Sequence, residues 1–114
     1  MSYLLRGRRL LRKHGSNGKQ SLIALVLRQG QIVSVGRNSY CKTHPRQSRL
    51  AEKVGQPKRE YLHAEIAALL KAPRDADTLV VVRLNKQGDF CNAKPCEICQ
   101  LAIREFGIKT VIHS

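Results

Sequence analysis

Leucines and arginines interleave near the start of the chain. Leu4, Leu5, Leu10 and Leu11 lie within residues 3–14, and Leu4 and Leu11, seven apart, share a helical face. The pattern predicts a short basic amphipathic helix ended by the breaker cluster Gly15-Ser16-Asn17-Gly18. Residues 21–28 are a nearly continuous apolar run, which predicts a strand buried on both faces. Gln29-Gly30 signals a tight turn. In residues 31–37, Ile32 and Ser34 alternate with Val33 and Val35, as in the returning strand of a hairpin. Residues 39–60 have no clear period and contain Pro45, Gly55 and Pro57. They read as a long binding loop or lid, with a helical turn over 46–53. Leu62, Ile66, Leu69 and Leu70 among alanines then predict a helix over 62–72, with Pro73 beyond its end. Residues 78–84 read as a buried strand, 85–94 as a loop around Gly88, and 109–113 as a short last strand. Between the last two, 96–106 reads as a helix with Pro95 at its entry and Gly107 just past its end.

Helix, strand, strand, helix, strand, helix, strand is the order of an α/β layer fold with one mixed sheet, here of four strands. The first two strands pair antiparallel, and those joined by helical crossovers are expected to be parallel. The 114 residues fit one domain, 1–114, able to bury a core without staples. An open sheet leaves edges that a second copy can cover, so a homo-oligomer is compatible with the pattern. No apolar run approaches a membrane span, and no apolar stretch with a cleavage site follows the basic start. The expectation is a cytoplasmic protein with no membrane partner.

Charge changes this picture. The formal net charge is +13. Residues 1–20 carry six Lys/Arg and no acid, and residues 21–60 carry eight against two. Residues 61–90 balance, so the excess lies in the N-terminal half. A phosphate-bearing partner is the natural reading; a solvated basic surface is the plainer one.

Candidate chemistry is concentrated at the starts of the helices expected over 62–72 and 96–106. His63 and Glu65 fall at the first, and Cys96 and Cys99, three apart on one face, at the second. Helix N-termini lower thiol pKa values, which suits both cysteines to metal as thiolates. Sites in such sheets collect where strand ends meet helix starts, so both motifs point at one edge. Two thiolates and one imidazole make a zinc site with an open fourth position, the catalytic rather than the structural pattern. Glu65 is then placed to move a proton of the attacking water. A structural four-ligand site would draw on Cys91 or Cys41 and leave Glu65 without a role. A redox use of Cys96 and Cys99 leaves out both His63 and Glu65.

His63-Ala64-Glu65 followed by Pro95-Cys96-Glu97-Ile98-Cys99 is the pattern of zinc nucleobase deaminases. The chain resembles the cytidine deaminase superfamily, which includes cytidine, deoxycytidylate and free-cytosine deaminases and the tRNA adenosine deaminases, over roughly residues 21–113. The resemblance implies a minimal three-layer α/β/α sandwich. It implies one Zn2+ per chain on His63, Cys96 and Cys99, with Glu65 as the catalytic proton shuttle. Asn38 matches a substrate-contacting Asn at the end of the second strand. The Ala64 and Cys96 backbone N–H groups are placed to help hold the ring or the water. In the basic loop, His44 and Tyr40 are further candidates for substrate contact, and Arg83 and Lys94 for phosphate. The expected reaction is hydrolytic C-to-U deamination of a cytosine-containing nucleotide or single-stranded nucleic acid, the latter favoured by charge. The scarcity of stacking groups (Tyr3, Tyr40, Tyr61, Phe90, Phe106 and no Trp) argues the other way. Alternatives are a free nucleoside or nucleotide deaminase, a tRNA adenosine deaminase, and a catalytically idle, zinc-stabilised nucleic-acid binding module.

Overall fold

The computed structural model describes residues 2–14, 21–38, 43–59 and 61–114. The elements in order are α1 (Tyr3–His14), β1 (Ser21–Arg28), β2 (Gln31–Arg37), α2 (Pro45–Lys53), α3 (Ala64–Lys71), β3 (Thr78–Leu84), β4 (Phe90–Cys91), α4 (Glu97–Glu105) and β5 (Thr110–His113). The breaker cluster at 15–18, Tyr40 and Cys41 lie outside the described residues.

β1 is central and antiparallel to both neighbours, with Leu25 opposite Val35 of β2 and Val80 of β3. β5 runs parallel to β3. The crossover through α3 therefore links strands of like direction, β2 and β3, with β1 between them; β3 and β5 are also parallel, as expected, at the two ends of a connection that holds β4 and α4. The β1–β2 turn has two positive-φ residues, Gln29 (φ 49) and Gly30 (φ 80), the geometry that matches strand twist in a two-residue hairpin. Asp77 secures this turn from outside. Its Oδ2 accepts from the Gln29 N–H (3.0 Å) and its Oδ1 from the Thr78 hydroxyl (2.6 Å).

The sheet is covered on both faces, completing the three layers. One face (Ile23, Leu25, Leu27, Val80, Val82, Leu84) packs under α1, whose Leu11 is buried. Gly7 of that helix sits where a side chain would run into Val82. The other face (Ala24, Val26, Leu79, Val81) packs against α2, α3 and α4 through residues including Leu50, Ile66, Leu69, Ile98 and Ala102. Here α3 lies backbone-close on β2. A Cβ on Gly36 would collide with the Ala64 carbonyl oxygen and the Ala68 nitrogen. Beside this contact the buried Ser34 hydroxyl donates to the Ala68 carbonyl (2.6 Å).

Three expectations are corrected. The sheet has five strands among the described residues, not four. The added strand, β4, lies in the expected 85–94 loop and is two residues long, too short for an alternation signal. The helical turn expected over 46–53 within the 39–60 loop is a nine-residue helix, Pro45–Lys53. His44 caps it, its Nδ1 accepting from the Arg46 N–H (3.0 Å), Pro45 takes the first turn, and Gly55 (φ 76) follows the end. Finally, α3 and α4 start later than expected, because His63 and Cys96 are extended N-caps.

Gly36→Ala is expected to lower unfolding free energy by about 1–3 kcal/mol, read by urea titration, since no rotamer change relieves a clash with helix backbone. Asp77 provides a pH test. The Gln29 N–H and Thr78 hydroxyl hold its carboxyl below the ordinary 3.8. A carboxyl lowered in the folded state stabilises above the unfolded value and loses that contribution as pH falls through the folded value. Asp77→Asn should therefore lower the melting temperature at neutral pH, and the difference from the parent should close in acid.

Candidate active site

Both helix starts bring extended residues to one point. His63 (φ −76, ψ 152) and Cys96 (φ −71, ψ 174) precede α3 and α4, and neither uses its side chain as a cap. Their carbonyls open the helices, accepting from the Ala67 N–H (2.9 Å) and the Gln100 N–H (2.8 Å). The Gln100 side chain donates back to the Pro95 carbonyl (2.8 Å), fixing the turn into Cys96. Cys99 is fully buried in the first turn of α4.

The ligand atoms of His63, Cys96 and Cys99 lie within 4.8 Å of one another. His63 Nδ1 is 3.3 Å from Cys99 Sγ and 3.6 Å from Cys96 Sγ. With standard Zn–S and Zn–N bond lengths, a tetrahedral N···S edge is about 3.5 Å, so both distances fit one zinc ion. The thiols are polarised for it. A hydrogen bond from Cys99, opposed by burial and helped by His63, pulls Cys96 down to about 3. The same contact, with burial and Glu65, pushes Cys99 well up. A divalent cation bound here would favour both as thiolates. Cys91 is not in the cluster; its Sγ lies 3.8 Å from the Asp89 carbonyl.

Glu65, in the first turn of α3, is 4% exposed. Burial raises its carboxyl above the usual value, and its Oε1 has no hydrogen-bond partner among the described residues. A buried acceptor without a partner is costly, so this oxygen is kept for a group that arrives with a ligand.

A cavity of about 530 Å³ opens over the cluster. Its lining includes His63, Glu65, Cys96 and Asn38, together with Leu22 and Ala93. Lys58, Arg59, Arg83 and Lys94 bring four cations to it. Tyr61, 49% exposed, also lines it. Of the residues expected from sequence, His63, Glu65, Cys96, Cys99 and Asn38 come together. Ala64 is buried at the start of α3, with its carbonyl against Gly36. His44 does not line the cavity; its ring is engaged at the start of α2.

One residue of this neighbourhood gave no sequence signal. Gln47, in α2, is fully buried. Its Nε2 donates to the Arg59 carbonyl (3.0 Å) and its Oε1 accepts from the His63 N–H (3.2 Å). One amide therefore ties a cavity-lining cation to the metal-ligating residue. A glutamine in an aperiodic basic stretch looks solvent-facing, so only the packing identifies it.

A family model described as the cytidine and deoxycytidylate deaminase zinc-binding region matches residues 2–114. The chain belongs to that family. The match includes α1, beyond the 21–113 span expected from the order of elements. With one His63/Cys96/Cys99 zinc site per chain, the protein is a zinc-dependent hydrolase acting on C–N bonds of cyclic amidines. No curated protein sequence matches the chain. Among the described residues no helix is long and apolar enough to cross a membrane.

Gln47→Leu leaves the His63 N–H and the Arg59 carbonyl without partners. Zinc should be held about tenfold or more weakly, as when outer-shell partners of metal ligands are lost. Competition against a chromogenic chelator reads this directly; parent-like retention would show that Gln47 only fills space.

Proposed function

We propose that the protein hydrolyses the exocyclic amine of cytosine within a phosphate-bearing substrate, with single-stranded nucleic acid ahead of a free nucleotide. The observation that carries this reading is the pairing of a buried, unpartnered Glu65 Oε1 with a cavity ringed by Lys58, Arg59, Arg83 and Lys94.

His63, Cys96 and Cys99 hold the zinc, which when bound supplies Lewis acidity toward the attacking water. Glu65 accepts one proton of that water and passes it to the ring nitrogen, then takes the proton of the hydroxyl added at C4 and passes it to the leaving amine. The C4–O bond forms first, leaving C4 tetrahedral; the C4–N bond then breaks as the amine departs protonated, and cytosine plus water becomes uracil plus ammonia. Burial around Glu65 and Cys99 keeps bulk water from competing for that proton. Asn38, at the end of β2, positions the base or its sugar through its amide. The N–H groups of Ala64 and Cys96, at two helix starts, suit a ring carbonyl or the water. Tyr61 offers an exposed ring for stacking. His44 is given no substrate contact, because its imidazole caps α2.

A free nucleotide is the second reading, favoured by a cavity of about 530 Å³, enough to enclose a small ligand whole. Salt separates the two. Binding of a strand should weaken steeply with ionic strength, whereas a mononucleotide should respond weakly.

The test is a deamination panel: cytidine, its monophosphates, free cytosine, single-stranded DNA and a tRNA anticodon stem-loop. Turnover of in-strand cytosine above the monophosphates supports the first reading, and the reverse supports the second. Zinc-loaded protein that turns over none of them would be an idle binding module. Glu65→Gln should keep zinc and lower kcat by about 10²–10⁴-fold; unchanged turnover would remove Glu65 from proton transfer.

A further inference from the structure

We propose that a single strand entering the cavity continues round the β4 edge of the sheet and along the outer face of α1, where Arg6, Arg9 and Arg12 take its phosphates. This rests on the nucleic-acid reading above and extends it to a surface remote from the zinc site.

The placement of α1 supports it. The Tyr3 hydroxyl lies 3.4 Å from the Gly30 carbonyl, at the hairpin turn. Gly7 sits over Val82, and the Arg12 guanidinium lies beside Gly88 in the β3–β4 turn. The helix therefore runs toward the end of β3 that carries Arg83, which lines the cavity from the opposite face. Arg6, Arg9 and Arg12 are all exposed and recur every third residue, on one side of the helix.

β4 joins the two faces. Leu84 pairs with Phe90 on the α1 side, and Arg83 pairs with Cys91 on the other. Phe90 is 39% exposed, and the Arg8 guanidinium stands 4.9 Å from its ring centroid. Two residues further on, Asn92 begins the stretch Asn92, Ala93 and Lys94 that lines the cavity. A cation–aromatic pair thus lies between the arginine row and the cavity, the combination that binds single strands without regard to sequence.

Charge and packing choose the occupant. Residues 1–20 contain no acid, and Asp89 is the one acid of the β3–β4 turn. Of the leucines of α1, Leu11 is buried and Leu4 and Leu10 are half-buried against the sheet, which leaves Leu5 (40% exposed) as the one outward leucine, too little apolar surface to insert into a bilayer. An acidic protein would answer the charge, but not the continuity with a nucleobase-processing cavity.

The test uses zinc-loaded full-length protein and fluorescent single strands bearing one cytosine, about four or about 20 nucleotides long, as DNA and as RNA. The parent should bind the long strand much more tightly than the short one. The Arg6→Gln/Arg9→Gln/Arg12→Gln variant, checked for parent-like melting temperature and zinc content, should bind the long strand about 10–100-fold more weakly at about 0.1 M salt. Its log–log salt slope should fall by about 2, for three lost phosphate contacts. Phe90→Leu should weaken the long strand by about 3–10-fold. Unchanged affinity and slope in the triple variant, with the parent still binding and deaminating strands, would overturn the α1 path alone. A parent that deaminates the monophosphate but neither binds nor deaminates strands would overturn the nucleic-acid reading and this path together. Displacement of long strands from the parent by anionic phospholipid vesicles, at matched charge, would assign α1 to a lipid surface and overturn the path as well.

Discussion

Everything at the zinc site depends on how closely α3 lies on β2. The contact is backbone to backbone at Gly36, with alanines on the helix side and the Ser34 hydroxyl pinning the Ala68 carbonyl. That contact sets the height of the α3 N-terminus above the sheet, and with it the position of His63. The tolerance is small. The Nδ1-to-sulfur distances are 3.3 and 3.6 Å, while a helix displaced by a single residue moves 1.5 Å along its axis. A methyl group at position 36 would push the ligand and Glu65 away together, since both ride on the same helix start. Gln47 acts from the other side, holding the His63 amide so that the N-cap cannot swing outward.

The cluster also couples metal binding to protonation and folding. Two thiols whose sulfurs lie within 4.8 Å of each other do not both ionise cheaply without a cation, and bound zinc would favour both as thiolates. The ligands come from the starts of two helices that meet only in the folded chain. Binding therefore stabilises the fold by mass action, and the fold prepares the site. Glu65 adds to this tension: among the described residues its buried Oε1 has no partner, and burial of such an oxygen works against stability.

Much of this could be read in the sequence, for reasons specific to each element. The 21–28 and 78–84 strands declared themselves because strands buried on both faces need unbroken apolar runs, and β1 and β3 are buried in that way. His63, Cys96 and Cys99 were visible because metal coordination restricts residue type and spacing together. Asn38, expected from the resemblance and its place at a strand end, lines the cavity. β4 was hidden because two paired residues carry no period. The helix at Pro45–Lys53 showed only as a helical turn within a loop, because its cap is a histidine and its outer face is basic, so Leu50 and Ala51 were too few to show a stripe. Lys58 and Arg59 gave only a charge, and only the folded chain shows that the charge faces the cavity.

Two short strands share the outer edge of β3. β5 covers Thr78–Val81 and β4 covers Arg83 and Leu84. Ser114 fills the joint. Its N–H donates to the Val81 carbonyl (3.0 Å), and its hydroxyl accepts from the Arg83 N–H (3.1 Å) and donates to the Cys91 carbonyl (2.7 Å). The ladder is thus handed from one strand to the next through a side chain. β3 is the strand a foreign chain would most readily extend, a Val-rich segment of high sheet propensity. Closing its edge with two short pieces rather than one long strand removes that template, and the outermost strand at the Arg83 end is only two residues long, too short to recruit a neighbour into a fibril.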